Sequence, residues 1–241
     1  MASNVELFHI QAQRNPVALL YYEPRRARRA TIVAGHGYSS SKQNLDFLCS
    51  FLASHGFAVY NLDFPGHKLG ASGGELRGVA DCIDAMQGAV RFAREHADDS
   101  VYTMGHSMGG MTAIFTAALD PAILGTIAIA TGYGRPTSLD ALRKVGVSDF
   151  RSSYVVGVTL PELVAGVERR YDELLPRLQG RPALYLAASR DAMVSPVSVC
   201  DLYDRAPEPK SLETIESDHT YAAEHSRAAV LQWLERRHPR P

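Results

Sequence analysis

The chain has 241 residues, 46% of them hydrophobic, and 25 basic against 26 acidic side chains leave a formal net charge of −1. That length predicts a single domain, 1–241, able to bury a sizeable core without staples, and the balanced charge removes any bulk electrostatic argument for nucleic acid or an anionic membrane as partner. Cys49, Cys82 and Cys200 lie far apart with no C-x-x-C pair, so a disulfide framework or zinc knuckle is unsupported and reduced core thiols are expected.

Residues 1–13 mix Glu6, His9 and several amide side chains into their apolar positions, without the charged-then-apolar order of a signal peptide. No apolar run reaches 18 residues. The expectation is a soluble, cytoplasmic protein with no membrane insertion. Short runs rich in Val, Ile and Tyr then alternate with longer amphipathic stretches. This predicts strands at 17–22, 30–34, 57–62, 101–104, 126–130, 183–187 and 212–215, and helices at 44–54, 78–96, 108–119, 196–205 and 221–237. The fold class is therefore α/β, with a mostly parallel central sheet flanked by helices. Residues 23–29 are too few for a helical crossover, so the first two strands are expected to pair antiparallel. Their connection, with Arg25, Arg26, Arg28 and Arg29, reads as a solvated hairpin tip rather than a binding patch. The stretch 132–181 interrupts the alternation, is too long for an ordinary connection, and has helix-like content of its own at 160–178. It is read as a small helical cap inserted over the C-terminal edge of the sheet.

The strongest local signal is Gly105-His106-Ser107-Met108-Gly109-Gly110, a G-x-S-x-G pentapeptide between a predicted strand and a predicted helix. A nucleophile on so sharp a turn needs small neighbours, because side chains at Gly105 or Gly109 would strike the adjoining strand or helix. The helix N-terminus, with the N–H of Met108, then faces any oxyanion formed at Ser107. A serine needs a base and an orienting carboxylate. Asp191 follows the strand at 183–187 and His219 follows the strand at 212–215, so both fall at the C-terminal sheet edge where ligand chemistry of open α/β sheets is found. Asp218 is also available. Its adjacency counts against it, because consecutive side chains around the turn diverge, whereas a carboxylate from the neighbouring strand end approaches the ring from behind.

These residues resemble the α/β-hydrolase superfamily, over nearly the whole chain. Ala34-Gly35-His36-Gly37-Tyr38 is similar to the family's HG oxyanion loop, and Asp63-Phe64-Pro65-Gly66-His67 to its D-x-x-G-H turn. The run His55-Gly56-Phe57-Ala58-Val59-Tyr60 into that turn points to monoacylglycerol-lipase-like and serine-aminopeptidase-like members. Lys68-Leu69-Gly70-Ala71-Ser72 departs from the family, which usually has Gly-x-Ser directly after the histidine. The resemblance implies a second oxyanion donor, the N–H of Tyr38.

The expectation is a serine hydrolase cleaving carboxylic esters of small or medium acyl substrates through Ser107, His219 and Asp191. Met193 and Val194 are candidates to line the acyl pocket. Thioesters or carbon–carbon bonds are alternative substrates for the same residues. A non-catalytic ligand-binding protein of this fold is the alternative of another class, against which the joint presence of the three residues argues. His36 and His67 are expected to brace their loops. The spacing of His219 and His225, the missing H-E-x-x-H and the missing phosphate-binding glycine motifs lead us to expect no metal and no cofactor. A small ester is the expected partner, with no nucleic acid; the sequence leaves oligomeric state open.

Overall fold

One eight-stranded sheet organises the computed structural model, in which residues 4–25, 27–96, 100–134 and 151–240 are described. The strands are β1 (Val5–Gln11), β2 (Pro16–Tyr22), β3 (Ala30–Gly35), β4 (Phe57–Leu62), β5 (Val101–His106), β6 (Gly125–Ile129), β7 (Ala183–Ala188) and β8 (Lys210–Ile215), in spatial order β1-β2-β4-β3-β5-β6-β7-β8. β4, β3, β5, β6, β7 and β8 are parallel neighbours. Every residue of β3 to β7 is buried, as expected where helices cover both faces of a sheet.

The helices are α1 (Asp46–Ser54), α2 (Val79–His96), α3 (Met108–Leu119), α4 (Leu160–Leu163), α5 (Val167–Leu174), α6 (Pro196–Arg205), α7 (Ala222–His225) and α8 (Arg227–Glu235). Alternation along each strand divides the core in two. Leu184 and Leu186 of β7 join Leu48, Leu52, Val230 and Trp233 beneath α1, α7 and α8. Tyr185 between them joins Met86, Phe115, Tyr171 and Val199 under α2, α3, α5 and α6. Helix α3 is buried on nearly all sides, which suits a helix apolar around its whole circumference.

Three details correct the sequence reading. β2 and β3 do not form a hairpin: β4 lies between them, and the antiparallel partners of β2 are β4 and β1. β1 is not registered by the sequence reading because Glu6, His9 and Gln11 thin its apolar signal. As an edge strand it is largely exposed, and the true hairpin turn is closed by the Ala12 N–H donating to Asn15 O at 3.1 Å. Nor is Arg29 a solvated tip. Its side chain is 6% exposed, and it donates to Glu235 at 3.1 Å and to the His55 carbonyl at 3.1 Å. Its guanidinium lies 4.7 Å over the Phe57 ring, tying the start of β3 to the last helix. Finally, the helix expected over 221–237 is two helices. The Ser226 hydroxyl donates to the Ala223 carbonyl at 2.8 Å where they meet, a side-chain bond that competes with the helical ladder.

Of the inserted stretch 132–181, residues 135–150 lie outside the described residues. The helical content at 160–178 is divided by Gly166, whose φ of +72° is left-handed. A capping box between Thr159 and Glu162, with Pro161 in the first turn, starts α4. The segment leading into it is anchored by bridges from Val155 to His67 and from Gly157 to Leu76, and by the Tyr38 hydroxyl donating to the Val158 carbonyl at 2.9 Å. Cys49 and Cys82 are buried free thiols, and Cys200 is a half-buried one.

Candidate active site

β5 ends at His106 and α3 begins at Met108, so Ser107 alone makes the turn, with φ 54° and ψ −117°. Its N–H donates to Ile129 O at 2.8 Å, and its carbonyl accepts the Met111 N–H at 3.1 Å. These bonds hold a backbone conformation that a side chain rarely adopts. Close packing forces the glycines beside it. A Cβ on Gly105 would come within 2.2 Å of the Gly109 backbone, and one on Gly109 within 2.0 Å of Gly35 O. Gly109→Ala should accordingly cost at least about 3 kcal/mol, the upper end of overpacking penalties. An unchanged urea midpoint for this variant would show that α3 and β3 separate at no cost.

The two sequence candidates from later strands converge on this serine. Asp191 is buried on the turn after β7, where its Oδ1 accepts the N–H groups of Met193 and Val194, each at 2.8 Å. That pins the carboxylate and leaves Oδ2 for His219, whose Nδ1 donates to it at 2.7 Å. With Nδ1 protonated, the neutral ring has Nε2 as acceptor, and Nε2 lies 3.1 Å from Ser107 Oγ. Asp218 is exposed and accepts the Tyr221 N–H at 3.1 Å; it takes no part in this chain of contacts. Ser107, His219 and Asp191 therefore form one continuous chain of hydrogen bonds.

One positioning contact is missed by the sequence reading, which treats His106 as the variable residue of the pentapeptide. Its ring is buried, and Nε2 lies 2.8 Å from the His219 carbonyl. A carbonyl only accepts, so His106 Nε2–H is the donor and the loop bearing His219 is tied to the end of β5. No sequence spacing announces a bond between residues 113 apart.

The Tyr38 loop is braced from below. His36 Nε2 accepts the Phe64 N–H at 3.0 Å, so Nδ1 donates to Gly37 O at 2.8 Å. His67 Nδ1 donates to Pro65 O at 3.0 Å, and its ring packs edge-on against His36. Lys42, a buried lysine that no motif flags, pairs with Asp63. Burial alone would raise the Asp63 carboxyl, but hydrogen bonds from the Lys42 side chain, its N–H and the Ala71 N–H hold it below the usual range. The departure at 68–72 thus wraps this aspartate: Ala71 N–H reaches Oδ2 at 2.7 Å and the Ser72 hydroxyl donates to the Asp63 carbonyl at 2.7 Å. The first-turn N–H of Met108 has no intrahelical acceptor, and among the described residues none is seen for the Tyr38 N–H.

Burial lowers the pKa of both His36 and His106 to about 3. The unfolded chain takes up these protons near pH 6.5, whereas the folded chain does not until about pH 3. The stabilisation is complete above 6.5 and is lost as pH falls between those values. Unfolding free energy should therefore fall as pH drops below 6.5, both rings acting in the same direction. Denaturant titrations from pH 7 to 4.5 check this, and a flat profile would mean the rings are not held neutral.

Two lobes of one cleft meet at Ser107, His219, Leu160 and Met193. The first, an empty volume of about 690 Å³ including its mouth, is walled by Met108, Met111, Leu163, Val164, Val167 and Val194. The second, about 910 Å³ on the same measure, is walled by Tyr38, Ser39, Ser40, Asn44, Arg151 and Thr220. All seven sequence candidates, Ser107, Asp191, His219, Tyr38, Met108, Met193 and Val194, are thus in or directly against this site. Among the described residues no group of three or more His, Cys, Asp or Glu is placed to hold a metal ion, and no helix is long and apolar enough to cross a membrane.

A mostly parallel eight-stranded sheet between helical layers, with a serine on the turn from β5 to α3, defines the α/β-hydrolase fold. The chain belongs to the family described as serine aminopeptidase, S33, whose model matches residues 26–166. It is 30% identical over 105 residues to the monoglyceride lipase of Mus musculus and 31% identical over 105 residues to that of Homo sapiens. Each match covers 42% of this chain and 34% of the lipase, so the chain spans about a third of the length of these curated relatives. Among solved structures, the α/β hydrolase GrgF from Penicillium sp. sh18 superposes with a TM-score of 0.75 at 15% identity, covering 98% of this chain and 99% of that one. The Pyrococcus furiosus esterase Pf2001 superposes with a TM-score of 0.69 at 20% identity, covering 97% and 90%. At these identities the structural likeness establishes the fold.

Proposed function

We propose that the protein hydrolyses carboxylic esters by acyl transfer through a Ser107–His219–Asp191 triad. Ser107 Oγ attacks the carbonyl as His219 Nε2 takes its proton, and Asp191 holds the ring and stabilises the imidazolium. The N–H groups of Met108 and Tyr38 bind the oxyanion. His219 then returns the proton to the leaving alcohol, and water, activated by the same ring, releases the acid. The observation that carries this reading is His219 bridging Asp191 Oδ2 at 2.7 Å and Ser107 Oγ at 3.1 Å. The names of the relatives, lipases and esterases, agree with it. Labelling with a fluorophosphonate probe tests it: wild type should be labelled and Ser107→Ala should not. A panel of 4-nitrophenyl esters and acyl thioesters then separates ester from thioester cleavage.

In this reading the apolar lobe takes the acyl chain and the polar lobe the leaving group, and the stretch 132–181 acts as a cap roofing the acyl side. Leu160 and Leu163 reach the lobe from the cap, while Ser107, Asp191 and His219 lie outside it. Leu160→Ala and Leu163→Ala should shift the preferred 4-nitrophenyl ester toward longer acyl chains. An unchanged chain-length profile in both variants would remove the cap from the pocket.

A further inference from the structure

We propose that the polar lobe receives an alcohol or thiol bearing an anionic group, a carboxylate or a phosphate, and that Arg151 recognises that group. This rests on the ester-hydrolase reading above and names the substrate class of the same site. The two lobes are unlike in chemistry. Among the described residues the acyl side has no charged residue in its wall. The other side gathers Ser39, Ser40, Asn44 and Thr220 around Ser107 and His219, and among the described residues Arg151 is its charged member and no carboxylate lines it. Among the described residues the side chains of those four and of Arg151 make no hydrogen bond or ion pair within the protein. All five line the lobe, with Arg151 and Thr220 exposed.

The surroundings reinforce the sign. Lys68 Nζ donates to the Ser153 carbonyl at 2.7 Å, which keeps a second cation beside the segment that carries Arg151. Glu162, the acid of the adjoining cap helix, has its carboxylate occupied by the N–H and hydroxyl of Thr159, each at 2.8 Å. Lys42 is neutralised by Asp63. A neutral polyol would use the hydroxyls and the amide but leave the guanidinium without a partner. A carboxylate or phosphate uses both, through the planar fork of donors that arginine offers such groups.

The test compares butyrate esters built on one phenol ring and differing at the para position: a carboxylate, a phosphate, and a neutral methyl carboxylate, with monobutyrin as the polyol. Wild type should favour at least one anionic ester over the neutral one in kcat/KM, through a lower KM, and the preferred anion identifies the source. Arg151→Gln should reduce that preference about two- to fivefold, as expected for a charge pair at an exposed site, and Arg151→Lys should restore part of it. A preference for the neutral ester or for monobutyrin, or an Arg151→Gln ratio equal to wild type, overturns the proposal. Fluorophosphonate labelling of the same preparations is independent of the leaving group. Labelled protein without anionic preference overturns this inference alone, whereas unlabelled protein overturns the ester-hydrolase reading and this inference with it.

Discussion

Ser107→Ala should abolish hydrolysis of 4-nitrophenyl butyrate, with a loss in kcat on the order of 10⁶ if it follows removal of a serine-protease nucleophile. The fold should survive. Alanine keeps the Cβ that serine already carries at φ 54°, so the substitution adds no new backbone strain. The hydroxyl's contact within the protein is with His219 Nε2 at 3.1 Å, not with the core. Circular dichroism and a urea midpoint near that of wild type, with no turnover, is the expected pair of results. Turnover equal to wild type in a folded variant would sink the acyl-transfer mechanism.

The second large effect discriminates between two aspartates. Asp191→Asn should lower kcat by about 10⁴, the loss seen when the triad carboxylate of a serine protease is made an amide. The reason is tautomeric. Asp191 Oδ1 is occupied by the Met193 and Val194 N–H groups, so in the asparagine the carbonyl oxygen belongs there and the NH₂ group is turned toward His219 Nδ1. Two donors cannot face each other, so the ring shifts its proton to Nε2 and no longer accepts one from Ser107. Asp218→Asn should cost less than about tenfold, an exposed substitution being mild by default, and asparagine keeps the acceptor for the Tyr221 N–H. Purified, folded variants ranked in the opposite order would assign the wrong acid while leaving Ser107 and His219 standing.

Sequence by itself determined the fold class and the candidate residues, because both depend on local signals. Strand–helix alternation produces a mostly parallel sheet almost whatever the details, helix 196–205 starts at its Ser195 cap and Pro196, and Pro121 and Pro207 follow the ends of helices 108–119 and 196–205. The G-x-S-x-G turn is legible because steric exclusion at Gly105 and Gly109 leaves a signature in residue identity. Asp191 and His219 are legible because a residue just past a strand's C-terminal end lands at one edge of the sheet.

Tertiary structure alone decided what depends on long-range pairing. Strand order could not be read from the short connection 23–29, since β3 takes β4 and β5 as parallel neighbours and β2 is left to pair with β4 and the weakly apolar β1. The burial of Arg29 against Glu235 and Phe57, and of Lys42 against Asp63, reverses what charge implies about exposure, because each cation finds its partner across the fold. That His106 ties down the loop carrying His219 follows from a contact between residues 113 apart. The division of the cleft into an apolar and a polar lobe belongs to the same category. Among the described residues its walls come from six separate stretches of chain, and no local pattern encodes which of their side chains will face one another.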